Sequence, residues 1–448
     1  MEKSDLICSG TGVRDVIARH MLADGLRMVF DLRRSHGSRI YDSASDRWLL
    51  DFFGCFATVA VGYNHPKLCR PEVLDRLSWA AVQKPSNSDV YTAEMADFVK
   101  AFADYAMPAP MKYLFFIEGG APAVENALKT AFDWKVRKNF AAGADRELGG
   151  QVLHFRQAFH GRTGYTLSLT NTADPRKTQY FPKFNWPRVT NPKCRFPLEG
   201  ENLAQVISDE ETALSEIRRA LDERAPDVAC LIIEPIQGEG GDNHFRLEFH
   251  RELRRICDEW EILMIYDEVQ TGLGGTGTLW AAEQYVMPDI IVFGKKTQVC
   301  GIMVSDRIDD IPDHVFKVPS RINSTWGGNL VDMIRCRYIL EIFQEENILE
   351  GVQRLGERLL DELRQVQEDF PALVTNARGR GLLCAFDLPD RGVRDRVIRR
   401  LFQKGLVILG CGERSLRFRT ALNIPEEDLT AGLRILREAL REEATQEG

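Results

Sequence analysis

ILMIYDEVQTG (Ile262–Gly272) and PDIIVFGKK (Pro288–Lys296) decide the fold, because each is a short, almost wholly apolar run that ends in polar residues. Apolar runs of this length are typical of strands that are buried on both faces of a parallel sheet. Runs of the same form are MKYLFFIEGG (Met111–Gly120), QVLHFRQAFHG (Gln151–Gly161) and DVACLIIEPIQGEGG (Asp227–Gly241). Segments of helical length, such as Ala123–Phe140 and Phe245–Glu261, lie between several of these runs. The alternation predicts an α/β fold with a mostly parallel central sheet that helices cover on both faces.

The two ends of the chain predict a second, smaller α+β domain. Asn347–Phe370 is a long amphipathic stretch with leucines at helical spacing, and shorter apolar runs follow it. Further helices are predicted at Arg391–Lys404 and Pro425–Glu443. Near the start, IYDSASDRWLLDFF (Ile40–Phe53) has the pattern of a hairpin rather than of the central repeat. We expect residues 54–330 to form the large domain, residues 331–448 the small domain, and residues 1–53 to join the small domain.

The composition of the 448-residue chain is ordinary for a globular protein, with 44% hydrophobic and 28% charged residues. The net charge of -8 argues against a nucleic acid or an anionic membrane as the main partner. No apolar stretch approaches the roughly 18 residues of a membrane span, and the first residues lack the layout of a secretory signal. The ten cysteines include no CxxC pair and no Cys/His cluster at zinc spacing. These features predict a cytoplasmic protein without a metal site or a membrane segment.

The motif EGGAPAVENALK (Glu118–Lys129) has the pattern of a phosphate-binding turn. Gly120 and Ala121 allow close approach of the backbone, and a strand that runs through them into a helix offers free N–H groups to an anion. An ordinary strand-to-helix turn has the same pattern. This motif has neither the GxGxxG spacing of a dinucleotide site nor the GK[ST] of a P-loop, which disfavours a plain nucleotide-binding protein.

Asp267 and Lys295 each end one of the two deciding runs. Taken separately, Asp267 could be a helix cap or a structural ion pair, and Lys295 a solvated lysine. A parallel sheet, however, would bring both strand ends to one crevice, where ligands of such sheets bind. A carboxylate that keeps a cationic ring nitrogen protonated, and a lysine amine with a lowered pKa, are what a pyridoxal-phosphate (PLP) site requires together with a phosphate cradle.

Two arginines and an aromatic pair complete the candidate site. Arg162 in AFHGR and Arg417 in LRFRTAL could each bind a carboxylate through two parallel hydrogen bonds, although either could be an ordinary surface arginine. Phe159 and His160, just before Arg162, could cover a flat aromatic cofactor, and core packing is the alternative for Phe159.

With these motifs in order, the sequence resembles the class III aminotransferases of PLP fold type I. The motifs that carry the resemblance are EGGAPAVENALK, AFHGR, EPIQGEGG, IYDEVQTG, PDIIVFGKK, STWGGN and LRFRTAL. Within the family, the stretches KPSNSDVY, FHGRTGYTLSLTN, GKKTQVCG and RINSTWGGN are most similar to bacterial lysine ε-aminotransferases. The resemblance therefore covers almost the whole chain.

The resemblance implies a role for each candidate residue at the cofactor. Lys295 would bind PLP as a Schiff base and move the proton, while Asp267 would pair with the pyridine nitrogen. Thr325 would reach the phosphate of the neighbouring subunit, which makes the active unit a homodimer. The other implied cofactor contacts are Gly120 and Ala121 at the phosphate, Gln270 at the ring hydroxyl, and Phe159 with His160 beside the ring.

The resemblance also implies how substrates bind. Arg162 would hold the carboxylate far from the reacting amine, and Glu239 would mask Arg417 until 2-oxoglutarate requires it. Two departures from the family pattern stand out. Thr420-Ala421 replaces a Pro-Pro pair after Arg417. The stretch Phe52–Ala60, which is expected to contribute to the substrate pocket, differs from the family pattern at Gly54, Cys55 and Phe56. The large side chain of Phe56 is expected to narrow this pocket.

The function implied is L-lysine 6-transaminase (lysine ε-aminotransferase), which gives glutamate and 2-aminoadipate 6-semialdehyde, the latter cyclising to piperideine-6-carboxylate. The nearest alternative keeps the chemistry with another donor, namely ornithine, 4-aminobutyrate, diaminobutyrate or a biosynthetic intermediate. An aminomutase on the same scaffold would need no acceptor. A non-catalytic PLP-binding regulatory protein is disfavoured, because it has no need of the full set of Lys295, Asp267, Arg162 and Glu239.

Overall fold

The apolar runs of the sequence become the strands of one seven-stranded sheet in a computed structural model that describes residue 10 and residues 12–445. The strands are β1 (Arg39–Asp42), β2 (Arg47–Asp51), β3 (Met111–Ile117), β4 (Gln151–Phe155), β5 (Arg188–Val189), β6 (Val228–Ile233), β7 (Leu263–Asp267), β8 (Ile290–Phe293), β9 (Cys300–Ser305), β10 (Thr375–Arg380), β11 (Leu383–Asp387), β12 (Leu406–Val407), β13 (Leu409–Cys411) and β14 (Ser415–Phe418). The helices are α1 (Gly12–Ala18), α2 (Gly54–Ala57), α3 (Pro71–Val82), α4 (Ala93–Tyr105), α5 (Gly120–Ala141), α6 (Gly164–Leu169), α7 (Gly200–Arg224), α8 (Leu247–Glu259), α9 (Leu330–Glu345), α10 (Ile348–Asp369), α11 (Arg391–Gln403) and α12 (Glu426–Ala444).

The large sheet has the strand order β3-β9-β8-β7-β6-β4-β5. Strands β5, β4, β6, β7 and β8 pair in parallel, which confirms the predicted mostly parallel α/β sheet. Every residue of β6, β7 and β8 is buried, as expected for strands with a covered face on each side. Strand β9 was not predicted, and it runs antiparallel between β3 and β8.

Helix α5 covers the sheet next to the candidate phosphate turn. It begins at Gly120, three residues before the predicted start, because Gly119 (φ 99°) turns the chain sharply after β3. Ala123, Ala127 and Ala131 of this helix are fully buried, which allows the helix to lie close to β6, β8 and β9. None of the described helices combines the length and apolar composition that crossing a lipid bilayer requires.

Two smaller sheets involve the ends of the chain. One has the order β10-β11-β14-β13, and helices α10, α11 and α12 accompany it. The other joins the N-terminal hairpin β1-β2 to β12, with Leu50 of β2 opposite Leu406 of β12. Helix α9 packs against α3 and α4. The boundaries at 53/54 and 330/331 stay predictions.

The short segment α2 is a left-handed turn that packs against the residues following β8. All four of its residues have positive φ, namely Gly54 (52°), Cys55 (48°), Phe56 (60°) and Ala57 (69°). Gly54 is required here, because a Cβ atom would lie 2.3 Å from the carbonyl oxygen of Arg419. The Asp51 carboxylate holds the turn by accepting the N–H groups of Phe53 and Gly54, each at 2.9 Å. Strain of this kind in non-glycine residues persists where the surroundings fix it, commonly at functional sites.

Candidate active site

The parallel register of β7 and β8 brings the two predicted catalytic residues to one cavity. Asp267 is the last residue of β7 and lies opposite Val292 of β8, while Lys295 follows β8 by two residues. Both line a cavity of about 330 Å³ beyond these strand ends. The predicted residues Gly120, Ala121, Phe159, His160, Arg162 and Gln270 line the same cavity.

Lys295 is the lysine whose amine is available in this cavity. Its backbone lies in the left-handed region (φ 55°), and no side chain within the described residues forms a hydrogen bond with its amine. Burial lowers the pKa of Lys295 to about 8, and the nearby Arg417 acts in the same direction. A lysine amine with such a pKa is partly neutral near neutral pH, as a nucleophile must be.

Lys296 points away from the cavity. Its amine donates to the carbonyl oxygens of Gln270 at 2.9 Å and Gly272 at 3.2 Å, and burial lowers its pKa to about 7. The choice of Lys295 therefore rests on the position of its amine. Gly294 before it leaves room for Cys300, whose sulfur would lie 2.8 Å from a Cβ atom there.

Two neighbouring groups hold the Asp267 carboxylate in a fixed orientation. Its Oδ2 atom lies 2.8 Å from His160 Nδ1, and its Oδ1 atom accepts the Val269 N–H at 3.1 Å. The carboxylate is nearly buried, with 5% of the residue exposed. The other nitrogen of His160, Nε2, is buried without a protein partner among the described residues. His160 thus contacts Asp267 and fixes the carboxylate.

The first turn of α5 has the properties of an anion site. The first N–H groups of a helix have no partner within that helix, and the N-cap residue Gly119 offers no side-chain acceptor to them. Gly120 and Ala121 at this turn line the cavity, and Gly161 lies against Ala121. A Cβ atom on Gly161 would lie 2.4 Å from that of Ala121, so the glycine allows the AFHGR segment to close over the turn.

The cavity residues together fit PLP. The turn at Gly120 would hold its phosphate, Asp267 its ring nitrogen and Lys295 its aldehyde carbon. Phe159 and Val269 both line the cavity with apolar groups that a flat ring can contact. The roles of these individual residues stay predictions.

Glu234 is a site residue that the sequence reasoning missed. Its Oε1 atom accepts the Phe159 N–H at 2.9 Å, and its Oε2 atom accepts the Gly238 N–H at 3.0 Å. Glu234 lines the cavity, and burial raises its pKa to about 7. The available signal was its position directly after the wholly buried strand β6, which is the same pattern that identified Asp267. Val269 and Cys300 also line the cavity and had no comparable signal.

Gln270 lines the cavity, and hydrogen bonds from Arg419 hold its side chain in place. Its Oε1 atom accepts from Arg419 Nε at 3.0 Å and Nη2 at 2.8 Å. Arg419 in turn forms a buried ion pair with Asp242, with Nη1 2.9 Å from Oδ2. The amide nitrogen of Gln270 is thereby the end left to face a ligand, and its contact with the ring hydroxyl stays a prediction.

Arg417 and Glu239 form the predicted ion pair, outside the cavity around Lys295. Arg417 Nη2 lies 3.1 Å from Glu239 Oε2. Strand register holds Arg417, because β14 places it between Ala385 of β11 and Leu409 of β13. Arg417 is thus positioned by the pairing of β14, which ends before Thr420-Ala421.

Glu239 has a second cationic partner that the sequence reasoning missed. Lys177 Nζ lies 2.5 Å from Glu239 Oε1. Burial alone would raise the pKa of Glu239, but Arg417 and Lys177 outweigh burial and hold that pKa below its ordinary value.

Of three further predicted residues, one lines the cavity and two lie outside its lining. Arg162 lines the cavity, is exposed, and has no ion-pair partner in residues 12–445, so its guanidinium is available to a carboxylate. Phe56 is half exposed, with its ring centroid 5.8 Å from Arg417 Cζ rather than in the cavity lining. Thr325 is also outside the lining, and its carbonyl oxygen accepts the Ser86 hydroxyl. The predicted roles of Phe56 and Thr325 stay predictions.

Comparison with known proteins agrees with this geometry. Residues 21–440 match the family model of the class III aminotransferases. The chain is 51% identical over 430 residues to an L-lysine-epsilon aminotransferase of Mycobacterium tuberculosis, covering 96% of this chain and 95% of the relative. It is 46% identical to the L-lysine-epsilon aminotransferase of Streptomyces clavuligerus, covering 95% and 93%. A solved structure of lysine aminotransferase from M. tuberculosis in the internal aldimine form is similar with a TM-score of 0.95 at 50% identity, covering 97% of this chain and 100% of that one. The chain belongs to the class III aminotransferase family.

Proposed function

We propose that the protein is an L-lysine 6-transaminase that transfers the ε-amine of L-lysine to 2-oxoglutarate. The products are glutamate and 2-aminoadipate 6-semialdehyde, which cyclises to piperideine-6-carboxylate. The observation that carries the proposal is the contrast between two arginines, since Arg162 is open to the cavity while Glu239 covers Arg417. A donor with one carboxylate remote from its reacting amine needs only the open arginine.

The cofactor is pyridoxal 5'-phosphate, as in the class III family, and it supplies an aldehyde and a cationic ring that withdraws electrons from the reacting carbon. Lys295 would hold the cofactor covalently through Nζ and, once the substrate amine has displaced it, would take up the proton of the reacting carbon and return it. Asp267, oriented by His160 at 2.8 Å, would stabilise the positive ring nitrogen. Gly120 and Ala121 would hold the phosphate at the helix N-terminus.

The charged residues select which end of each substrate reacts. In the lysine half-reaction, Arg162 binds the α-carboxylate with its planar fork, and Glu239 keeps Arg417 from binding the same group. In the acceptor half-reaction, Glu239 leaves Arg417, which then binds the α-carboxylate of the 2-oxo acid. A permanently open arginine at the position of Arg417 would favour α-amines in both halves. The movable pair allows one pocket to accept both substrates.

The visible absorption of the purified enzyme tests this proposal directly. We expect L-lysine to bleach the yellow band and 2-oxoglutarate to restore it, with mass spectrometry identifying the cyclised product. Ornithine, 4-aminobutyrate and 2,4-diaminobutyrate serve as comparison donors, because each has a shorter chain between its carboxylate and its terminal amine than lysine has. Because one methylene is worth about ten-fold or more in specificity, lysine should exceed each in kcat/KM by roughly ten-fold. A faster donor among them would replace lysine, and turnover without any acceptor would indicate an aminomutase.

We further propose a homodimer that covers an apolar surface around Thr325. Ser88 Oγ donates to the Ser324 carbonyl oxygen at 2.6 Å, and Lys84 Nζ lies 3.9 Å from the centre of the Trp326 ring. The segments 84–91 and 324–326 therefore pack as one surface. Their large apolar side chains Val90, Tyr91 and Trp326 are exposed in the single chain, as expected for a surface that a second copy covers.

The dimer proposal predicts that Thr325→Ala weakens cofactor binding across the subunit boundary. Loss of one hydroxyl donor to a phosphate should raise the PLP concentration for half-saturation by roughly ten-fold, while sedimentation velocity still gives the mass of two chains. Trp326→Asp should instead shift the protein toward the monomer. A wild-type protein that sediments as a monomer, or full PLP affinity in Thr325→Ala, would contradict the shared site.

We also assign the enzyme to the cytoplasm. The described cysteines are free thiols, most of them buried. Thiols in this state are typical of a reducing compartment.

A further inference from the structure

Glu239 is held by two cations at once, through different oxygen atoms. Arg417 Nη2 contacts Oε2 at 3.1 Å, and Lys177 Nζ contacts Oε1 at 2.5 Å. The two cations also differ in environment, since 3% of the Arg417 side chain is exposed against 17% of that of Lys177. The carboxylate can therefore give up one partner and keep the other.

The backbone around Glu239 is fixed, so that only its side chain can move. The Glu239 carbonyl oxygen accepts the Gly412 N–H at 2.9 Å. The following residue must be Gly240, because a Cβ atom there would lie 2.1 Å from the Gln157 carbonyl oxygen. Arg417 is fixed within β14. Uncovering Arg417 thus requires rotation of the Glu239 side chain rather than movement of the loop.

The structure offers a place for the displaced carboxylate. A second cavity, of about 660 Å³, is lined by Lys177 and Glu239 but not by Arg417. Lys177 ends a short 3₁₀ turn (Pro175–Lys177) in which the Asp174 side chain accepts the Arg176 N–H at 3.2 Å. The Lys177 amine also lies 5.7 Å from the centre of the Phe159 ring, which places it between the cofactor side of the site and this cavity.

We propose that Lys177 is a positioning residue, which retains the Glu239 carboxylate when that carboxylate leaves Arg417 and so sets the affinity for the dicarboxylate acceptor. This inference rests on the proposed exchange of substrates at Arg417. Lys177 favours the open arrangement, because it stays paired with Glu239 when Arg417 is released and then alone balances the charge of the carboxylate. Within residues 12–445, Lys177 and Arg417 are the ion-pair partners of Glu239, so loss of Lys177 leaves the released carboxylate uncompensated.

Binding of glutarate to the cofactor-loaded enzyme isolates this effect, because glutarate has both carboxylates of the acceptor and no reacting keto group. We expect Lys177→Met to weaken glutarate binding by calorimetry and to raise the Michaelis constant for the acceptor, each roughly ten-fold, the range of a half-buried ion pair. The rate constant of the lysine half-reaction, which needs the closed pair, should change by less than about two-fold. Lys177→Arg should restore glutarate binding. If Lys177→Met fails to fold, Lys177→Gln removes the same charge and keeps a polar end.

Two controls separate the switch from a general loss of charge. Lys193 lines the same cavity and forms no ion pair with Glu239 in the described part of the chain, so Lys193→Met should bind glutarate as the wild type does. In a Glu239→Gln background, Lys177→Met should have no further effect. Unchanged glutarate affinity in Lys177→Met, or an equal loss with and without the Glu239 carboxylate, would overturn the inference. If the wild type prefers another amine donor, the lysine assignment fails, and the glutarate comparison still decides the role of Lys177.

Discussion

We expect Lys295→Ala to reduce transamination by at least about four orders of magnitude, because one side chain is proposed both to bind the cofactor covalently and to move the proton of the reaction. Lys295 is the only lysine among the described residues that line the cavity. No other lysine amine there could take its place. Lys296 is the nearest amine in sequence, but two backbone carbonyl oxygens hold it outside the cavity. Both lysines have lowered pKa values, so nucleophilicity alone does not distinguish them, and position does.

The measurement is steady-state turnover of L-lysine with 2-oxoglutarate, combined with borohydride reduction and peptide mapping. Reduction should attach the cofactor to Lys295 in the wild type and in Lys296→Met. In Lys295→Ala, it should leave Lys296 unlabelled. Circular dichroism melting checks that each variant is folded. More than about one per cent of wild-type turnover in folded Lys295→Ala, or a cofactor label on Lys296, would refute the assignment.

The sequence was sufficient for the parts of the site that depend on single strands. Asp267 and Lys295 could be found because each follows a wholly apolar run, and a parallel sheet brings such strand ends to one edge. The same reasoning applies to Gly120, at the point where β3 passes into α5. In each case, a local pattern and one topological rule determine where the side chain lies.

The parts that could not be predicted depend on contacts between distant segments. Strand β9 is an apolar run like the others, and nothing local to it specifies that it runs antiparallel between β3 and β8. The contact between Lys177 and Glu239 joins residues 62 apart in the chain, on a 3₁₀ turn and a loop without regular periodicity. The left-handed turn at Gly54–Ala57 contains one glycine among four residues of positive φ, so the composition of Phe52–Ala60 does not indicate it. Packing against Arg419 and the segment after β8 imposes that conformation.

Asp267→Asn is expected to reduce the rate of both half-reactions by about two to four orders of magnitude while the protein remains folded. Asparagine has the shape of aspartate and can still accept from Val269 and contact His160, so the change removes a charge and little packing. Without that charge, the ring nitrogen of the cofactor loses its proton, and the ring no longer withdraws electrons effectively from the reacting carbon. Stopped-flow absorbance with L-lysine and with 2-oxoglutarate measures each half-reaction separately.

A cofactor whose ring nitrogen carries a methyl group distinguishes electrostatics from geometry at Asp267. Such a ring is positive without a proton, and so no longer depends on the carboxylate to remain charged. If Asp267 acts by charge, the N-methylated cofactor should recover a large part of the lost rate in Asp267→Asn and give no gain in the wild type. His160→Gln provides the matched comparison, because it removes the 2.8 Å contact that orients the carboxylate but leaves the charge in place. The smaller loss of rate expected in His160→Gln should not be recovered with the methylated cofactor. A wild-type rate in Asp267→Asn would show that the ring does not need this carboxylate. No recovery in Asp267→Asn would show that its contribution is orientation rather than charge.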